Sequence, residues 1–150
     1  MSELVIGRKD RADIPLYGMF NIAVKIDSGA YSSSIHCTSI ELTNKDGLER
    51  LEVVFLDDNN PSFTGSKHFF DVFTKKKVKS STGDEQERFF VKLPIVLFDK
   101  EFLTDFSLTK RNGLKNPILL GRKLTNNNFL INTRLTNVSY KLKKKNQKIN

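Results

Sequence analysis

Apolar residues in this chain recur at short, often two-residue spacing, and they are rich in Phe, Val and Ile. That pattern predicts strands rather than helices, so the class is mainly β. In Ile22-Ala23-Val24-Lys25-Ile26 the apolar Ile22, Val24 and Ile26 share one face, and the run ends at Asp27. A strand here delivers the Asp27 carboxylate at its C-terminal tip, with Ser28-Gly29-Ala30 as the turn that follows. Two segments, 40–43 and 48–56, flank Asn44-Lys45-Asp46-Gly47, whose Asp-Gly pair predicts a hairpin. A second hairpin is expected from 88–98 and 101–108 around Asp99-Lys100, with Phe102, Thr104, Phe106 and Leu108 on one face and Pro94 marking an edge or a bulge. The stretches 57–62 and 75–85 carry loop chemistry, and either suits a flap. Near the end, Ile118-Leu119-Leu120 predicts a short buried strand closed by Gly121. Arg122-Lys123-Leu124 opens a short helix, and Phe129-Leu130-Ile131 makes a last strand.

Length and charge narrow this picture. The 150 residues make one ordinary domain, apolar residues run from Leu4 to Tyr140, and no internal repeat is visible. Lys141, Lys143, Lys144, Lys145 and Lys148 carry five of the eight net positive charges, so 1–140 is read as the domain and 141–150 as a basic, flexible tail. A mildly basic body with a basic tail favours an acidic macromolecular partner. Nucleic acid is disfavoured, because no aromatic stacking platform is interleaved with the Lys75-Lys76-Lys77 run or the tail. No stretch reaches the roughly 20 apolar residues of a membrane span, and the first residues lack the pattern of a signal peptide. With Cys37 the single cysteine, the expected setting is cytoplasmic and away from membranes.

An Asp followed by small residues at a strand end is usually only a turn. Here an apolar strand feeds Asp27, the small residues Ser28, Gly29 and Ala30 follow it, and a later Leu119-Leu120-Gly121 segment can cross it in the core. With these residues the sequence resembles the retropepsin-like, RimB-like family named as ATP-dependent zinc proteases, which is linked to the RimK glutamate ligases that modify a small-subunit ribosomal protein. The likeness begins at Ile6-Gly7-Arg8-Lys9 and Ala12-Asp13-Ile14-Pro15-Leu16. It peaks in Ala23-Val24-Lys25-Ile26-Asp27-Ser28-Gly29-Ala30 with Ser32-Ser33-Ser34-Ile35-His36-Cys37. It continues through 108–114, Ile118-Leu119-Leu120-Gly121-Arg122 and Phe129-Leu130-Ile131-Asn132. Ser28 stands where the family usually has Thr, Tyr31 where it has Arg, and Asn132 where it has Asp.

The resemblance implies a closed retropepsin-like β-barrel with a short C-terminal helix and an aspartic peptidase-like hydrolase activity on peptide or isopeptide bonds, in acidic, glutamate-rich tails. Asp27 is then the catalytic carboxylate; Ser28, Gly29 and Ala30 form the active-site turn; and Ser33, His36, Gly121 and Arg122 support it. Such hydrolysis needs two carboxylates sharing one proton, and no second Asp-Ser/Thr-Gly occurs, so the dyad requires a homodimer with Asp27 near its two-fold axis. Arg122 either ties the closing segment to the turn or is a surface arginine. His36 either orients a site group or, as a lone His in an apolar strand more often does, serves structure. No cofactor is expected. There is no His-Glu-x-x-His, only His36 and His68 occur, and no Gly-rich Lys-Ser/Thr loop exists to hold ATP phosphates. The alternative function is a non-catalytic module of the same fold that binds an acidic protein partner.

Overall fold

The computed structural model describes residues 4–79, 83–110 and 115–149. Among the described residues eleven strands carry the fold: β1 Leu4–Ile6, β2 Lys9–Ile14, β3 Met19–Ile26, β4 Ser33–Lys45, β5 Leu48–Phe55, β6 His68–Phe70, β7 Thr74–Lys79, β8 Glu85–Leu97, β9 Lys100–Thr109, β10 Ile118–Leu120 and β11 Phe129–Ile131. Helices α1 Arg122–Thr125 and α2 Val138–Ile149 complete it. The pairings β10 to β3, β3 to β2, β2 to β8, β8 to β9, β9 to β4 and β4 back to β10 close into a ring. The ring is filled by Ile14, Ile22, Val24, Ile35, Leu93, Ile95, Phe106, Ile118 and Leu120, none more than 1% exposed. Burial of such side chains contributes about 1.5–3 kcal/mol each and drives closure.

The hairpins follow from their turns. Lys45 pairs with Leu48 across Asp46 (φ 56°) and Gly47 (φ 83°), both in the left-handed region that a tight hairpin demands. In the second hairpin Leu97 pairs with Lys100, so the turn is Phe98-Asp99, one residue earlier than the sequence suggests. Neither turn residue is glycine, yet both have positive φ (54° and 58°). Their surroundings offset the strain: the Phe98 N–H donates to Ser139 Oγ at 2.8 Å, and the Phe98 ring packs 5.8 Å from that of Phe129. Pro94 sits opposite Leu103, on the stretch of β8 between its pairing with β7, which stops at Phe90, and its pairing with β2 at Val96. A residue without an N–H is tolerated there because that side of β8 has no ladder to interrupt.

Two expectations need correction. Lys75–Lys79 is not a loop but strand β7, in register with β8 from Thr74↔Phe90 to Lys79↔Glu85; residues 80–82 lie outside the described residues. The segment expected as a flexible tail is helical through Ile149. Its N-terminus is held by Asp10, 2% exposed, whose Oδ2 accepts the Ser139 N–H at 2.9 Å and whose Oδ1 accepts the Tyr140 N–H at 3.0 Å. A buried carboxylate on a helix's first orphan N–H groups acts as a cap supplied from β2, far away in sequence. Lys143 then reaches Asp13 at 2.8 Å and Asn21 Oδ1 at 2.7 Å.

Candidate active site

Strand β3 stays extended into Asp27. The Ile26 N–H donates to Arg8 O at 3.0 Å on one side, and the Asp27 N–H donates to Leu120 O at 2.9 Å on the other. Strand β10 lies between β3 and β4, parallel to the first (Leu120↔Ile26) and antiparallel to the second (Leu119↔Ser34). The crossing expected of Leu119-Leu120-Gly121 is therefore present, and it fixes where β3 ends. Beyond it the chain turns: the Ala30 N–H donates to Asp27 O at 3.2 Å and the Gly29 N–H to Asp27 Oδ1 at 3.1 Å, a side-chain-directed turn of the kind Asp favours.

The start of α1 clamps this turn. The Arg122 and Lys123 N–H groups, orphans of a helix's first turn, donate at 2.9 Å to Ala30 O and Tyr31 O. Arg122 adds a side-chain bond, Nη1 to Ser28 O at 2.9 Å, and its guanidinium carbon lies 6.0 Å from the centre of the Tyr31 ring. The Gly121 N–H donates to the buried Ser33 Oγ at 3.1 Å. A Cβ on Gly121 would lie 2.5 Å from Tyr31 O and 2.6 Å from Ser32 O, so only glycine fits between α1 and the turn. Asp27, Ser28, Gly29, Ala30, Ser33, Gly121 and Arg122 thus come together. Of them Ser28 and Gly29 are exposed and Asp27 is half-buried, and among the described residues no cation pairs with the Asp27 carboxylate.

His36 has a different partner. It is 2% exposed and its Nε2 lies 3.0 Å from Asp57 Oδ2, while its backbone bonds to Pro117 O and to the Leu56 N–H. In the sequence Asp57 reads only as the start of an Asp-rich loop; nothing local to it signals a contact 21 residues away. The motif segment 108–114 is described only through Lys110, and 111–114 lie outside the described residues.

Zinc, carried in one name of the resembling family, finds no fitting set of donors among the described residues. His36 Nε2 is already beside Asp57, and the Cys37 thiol lies within the hydrophobic core, where burial raises its pKa. Among the described residues no three His, Cys, Asp or Glu side chains are grouped to hold a metal ion. Nor is any helix among them long and apolar enough to cross a membrane.

Comparison with known proteins settles the family. The profile described as "Retropepsin-like aspartic endopeptidase RimB" matches residues 5–141. The chain belongs to the RimB-like family. Curated relatives include a probable alpha-L-glutamate ligase of Desulfotalea psychrophila, 28% identical over 90% of this chain, and one of Shewanella pealeana, 25% identical over 87%. The match spans only 29% and 28% of those two proteins. The crystal structure of Lpg0085, a Legionella pneumophila protein of unknown function, superposes with a TM-score of 0.65 at 24% identity, covering 92% of this chain and 99% of that one. It shares the fold. The mainly β, single-domain, retropepsin-like architecture expected from the sequence is therefore the architecture of this RimB-like protein.

Proposed function

We propose that this RimB-like protein is an aspartic peptidase-like hydrolase, cytoplasmic and homodimeric, that cleaves peptide or isopeptide bonds in acidic chains. What carries the reading is the Asp27 turn: a half-buried carboxylate at the tip of a core strand, clamped by β10 and α1, beside two exposed small residues, Ser28 and Gly29. One protomer supplies one carboxylate. A second copy placing its own turn against the first would bring two Asp27 side chains together, where like charges in close proximity share a proton. One carboxylate then takes a proton from the attacking water while the other protonates the carbonyl oxygen; the tetrahedral carbon collapses as the first passes its proton to the leaving nitrogen and the second takes a hydroxyl proton back, releasing amine and acid. Ser28 would hold the two turns together through its hydroxyl. The Asp27→Asn protein should fold and dimerise like the wild type but release no amine from a glutamate-rich peptide. Turnover retained in that variant refutes the assignment.

A second reading has its own support. The curated relatives are named ligases, and the matched region is under a third of their length, as an accessory module would be. In that case the domain binds an acidic partner without cleaving it, and Asp27 serves only the turn. Sedimentation separates the two readings, because a strict monomer at working concentration cannot assemble the dyad.

A further inference from the structure

The ladder between β2 and β3 places Lys9 directly opposite Lys25. In an antiparallel pair such residues point to the same face with Cβ atoms about 4.5–5.5 Å apart, and like charges so placed destabilise the sheet. Both lysines are exposed, and neither forms an ion pair among the described residues. In the other like-charged pairs along the described ladders, one member has a further attractive contact. Glu41 faces Glu52, which Lys67 holds at 3.1 Å; Lys76 faces Arg88, and its ammonium lies 4.8 Å from the centre of the Phe90 ring. Lys67, Lys75, Lys123 and Lys143 each hold a carboxylate. Among the described residues the Lys9 and Lys25 pair has no such partner.

Its position supplies a reason. Because β3 runs on extended, Lys25 and Asp27 lie on the same side of the strand, with Cα atoms about 7 Å apart. That is also the spacing of alternate side chains along an extended peptide. Lys25 is flanked on its other side by the half-buried Leu119 of β10, which can pack against an aliphatic stem. We propose that Lys9 and Lys25 form a carboxylate-binding subsite beside Asp27, which selects a glutamate side chain next to the bond presented to the turn. Two ammonium groups converge on one carboxylate, whose arrival relieves their repulsion, while Leu119 covers the methylenes. This deepens the hydrolase reading and rests on it for the orientation of the substrate.

The test uses binding as well as turnover. Isothermal titration of hexaglutamate into the full-length Asp27→Asn protein should show binding that weakens with salt, and hexaglutamine should bind much more weakly. Lys9→Gln/Lys25→Gln in that background should weaken hexaglutamate about ten- to a hundred-fold, the size of effect expected from losing charge-assisted bonds, and should leave hexaglutamine unchanged. The double variant should also melt no lower than its parent, because a like-charge contact has been removed; a purely structural pair would lower the melting temperature. Equal affinity of parent and double variant for hexaglutamate, or no preference for hexaglutamate over hexaglutamine in the parent, overturns the subsite. If wild-type protein hydrolyses neither peptide while the lysines still govern binding, the hydrolase reading falls and the subsite stands. If Asp27 proves essential for cleavage but the lysines change no preference, the reverse holds.

Discussion

Two glycines lie at the Asp27 turn, and the structure separates their reasons for being there. Gly121 is required within the protomer, since any Cβ would enter the carbonyl groups of Tyr31 and Ser32 at 2.5 and 2.6 Å. Gly29 is not: its φ lies outside the left-handed region, and an added Cβ would meet only Asp27 Oδ1, at 3.4 Å. Gly29→Ala should therefore stabilise an isolated protomer by about 0.4–1 kcal/mol, through the reduced freedom of the unfolded chain. For a chain of this size that raises the melting temperature by about 1–4 °C. If two turns pack against each other in the active dimer, the same methyl group intrudes where their backbones must meet. Sedimentation equilibrium should then show the variant monomeric at concentrations where the wild type is dimeric, with hydrolysis lost in parallel. Gly121→Ala is the contrasting control: overpacking against rigid backbone costs about 1–3 kcal/mol or more, so the protomer itself should melt about 2–12 °C lower. A Gly29→Ala protein that still dimerises and cleaves would refute the turn-to-turn dimer.

Other outcomes follow from single contacts. Asp10→Ala removes the acceptor of the Arg11, Ser139 and Tyr140 N–H groups and strands buried donors at the start of α2. A loss of about 3 kcal/mol is expected, and a drop in melting temperature of about 6–12 °C; a drop under about 2 °C would show that α2 docks without its cap. Burial raises the Cys37 pKa, so below about pH 8.5 the thiol is protonated in both the folded and unfolded states. Above that pH the unfolded chain releases a proton that the folded one retains, so stability falls with rising pH by up to about 1.4 kcal/mol per unit. Denaturant melts between pH 8 and 10 should show a shallower slope for Cys37→Ala than for the wild type.

Much of the site is legible in the sequence alone. The alternation ending at Asp27, the small residues after it and the later Leu-Leu-Gly run are local patterns, and a strand tip, a turn and a closing strand follow from periodicity and side-chain size alone. The Asp46-Gly47 hairpin is equally local, because one dipeptide meets the φ requirement. Other features needed the fold. Lys75–Lys79 reads as a charged loop because nothing apolar alternates strongly within it; it becomes a strand through backbone pairing with β8, which needs no particular side chain. Asp10 looks like any surface acid until β2 carries it beneath the start of α2, 129 residues on. The same docking orders the lysine-rich end as a helix, through contacts that lie outside its own sequence. Composition already displayed the surplus of positive charge, but only strand register set Lys9 against Lys25 beside Asp27. A pattern of period two determines which face a residue takes, and pairing across the sheet determines what stands opposite it.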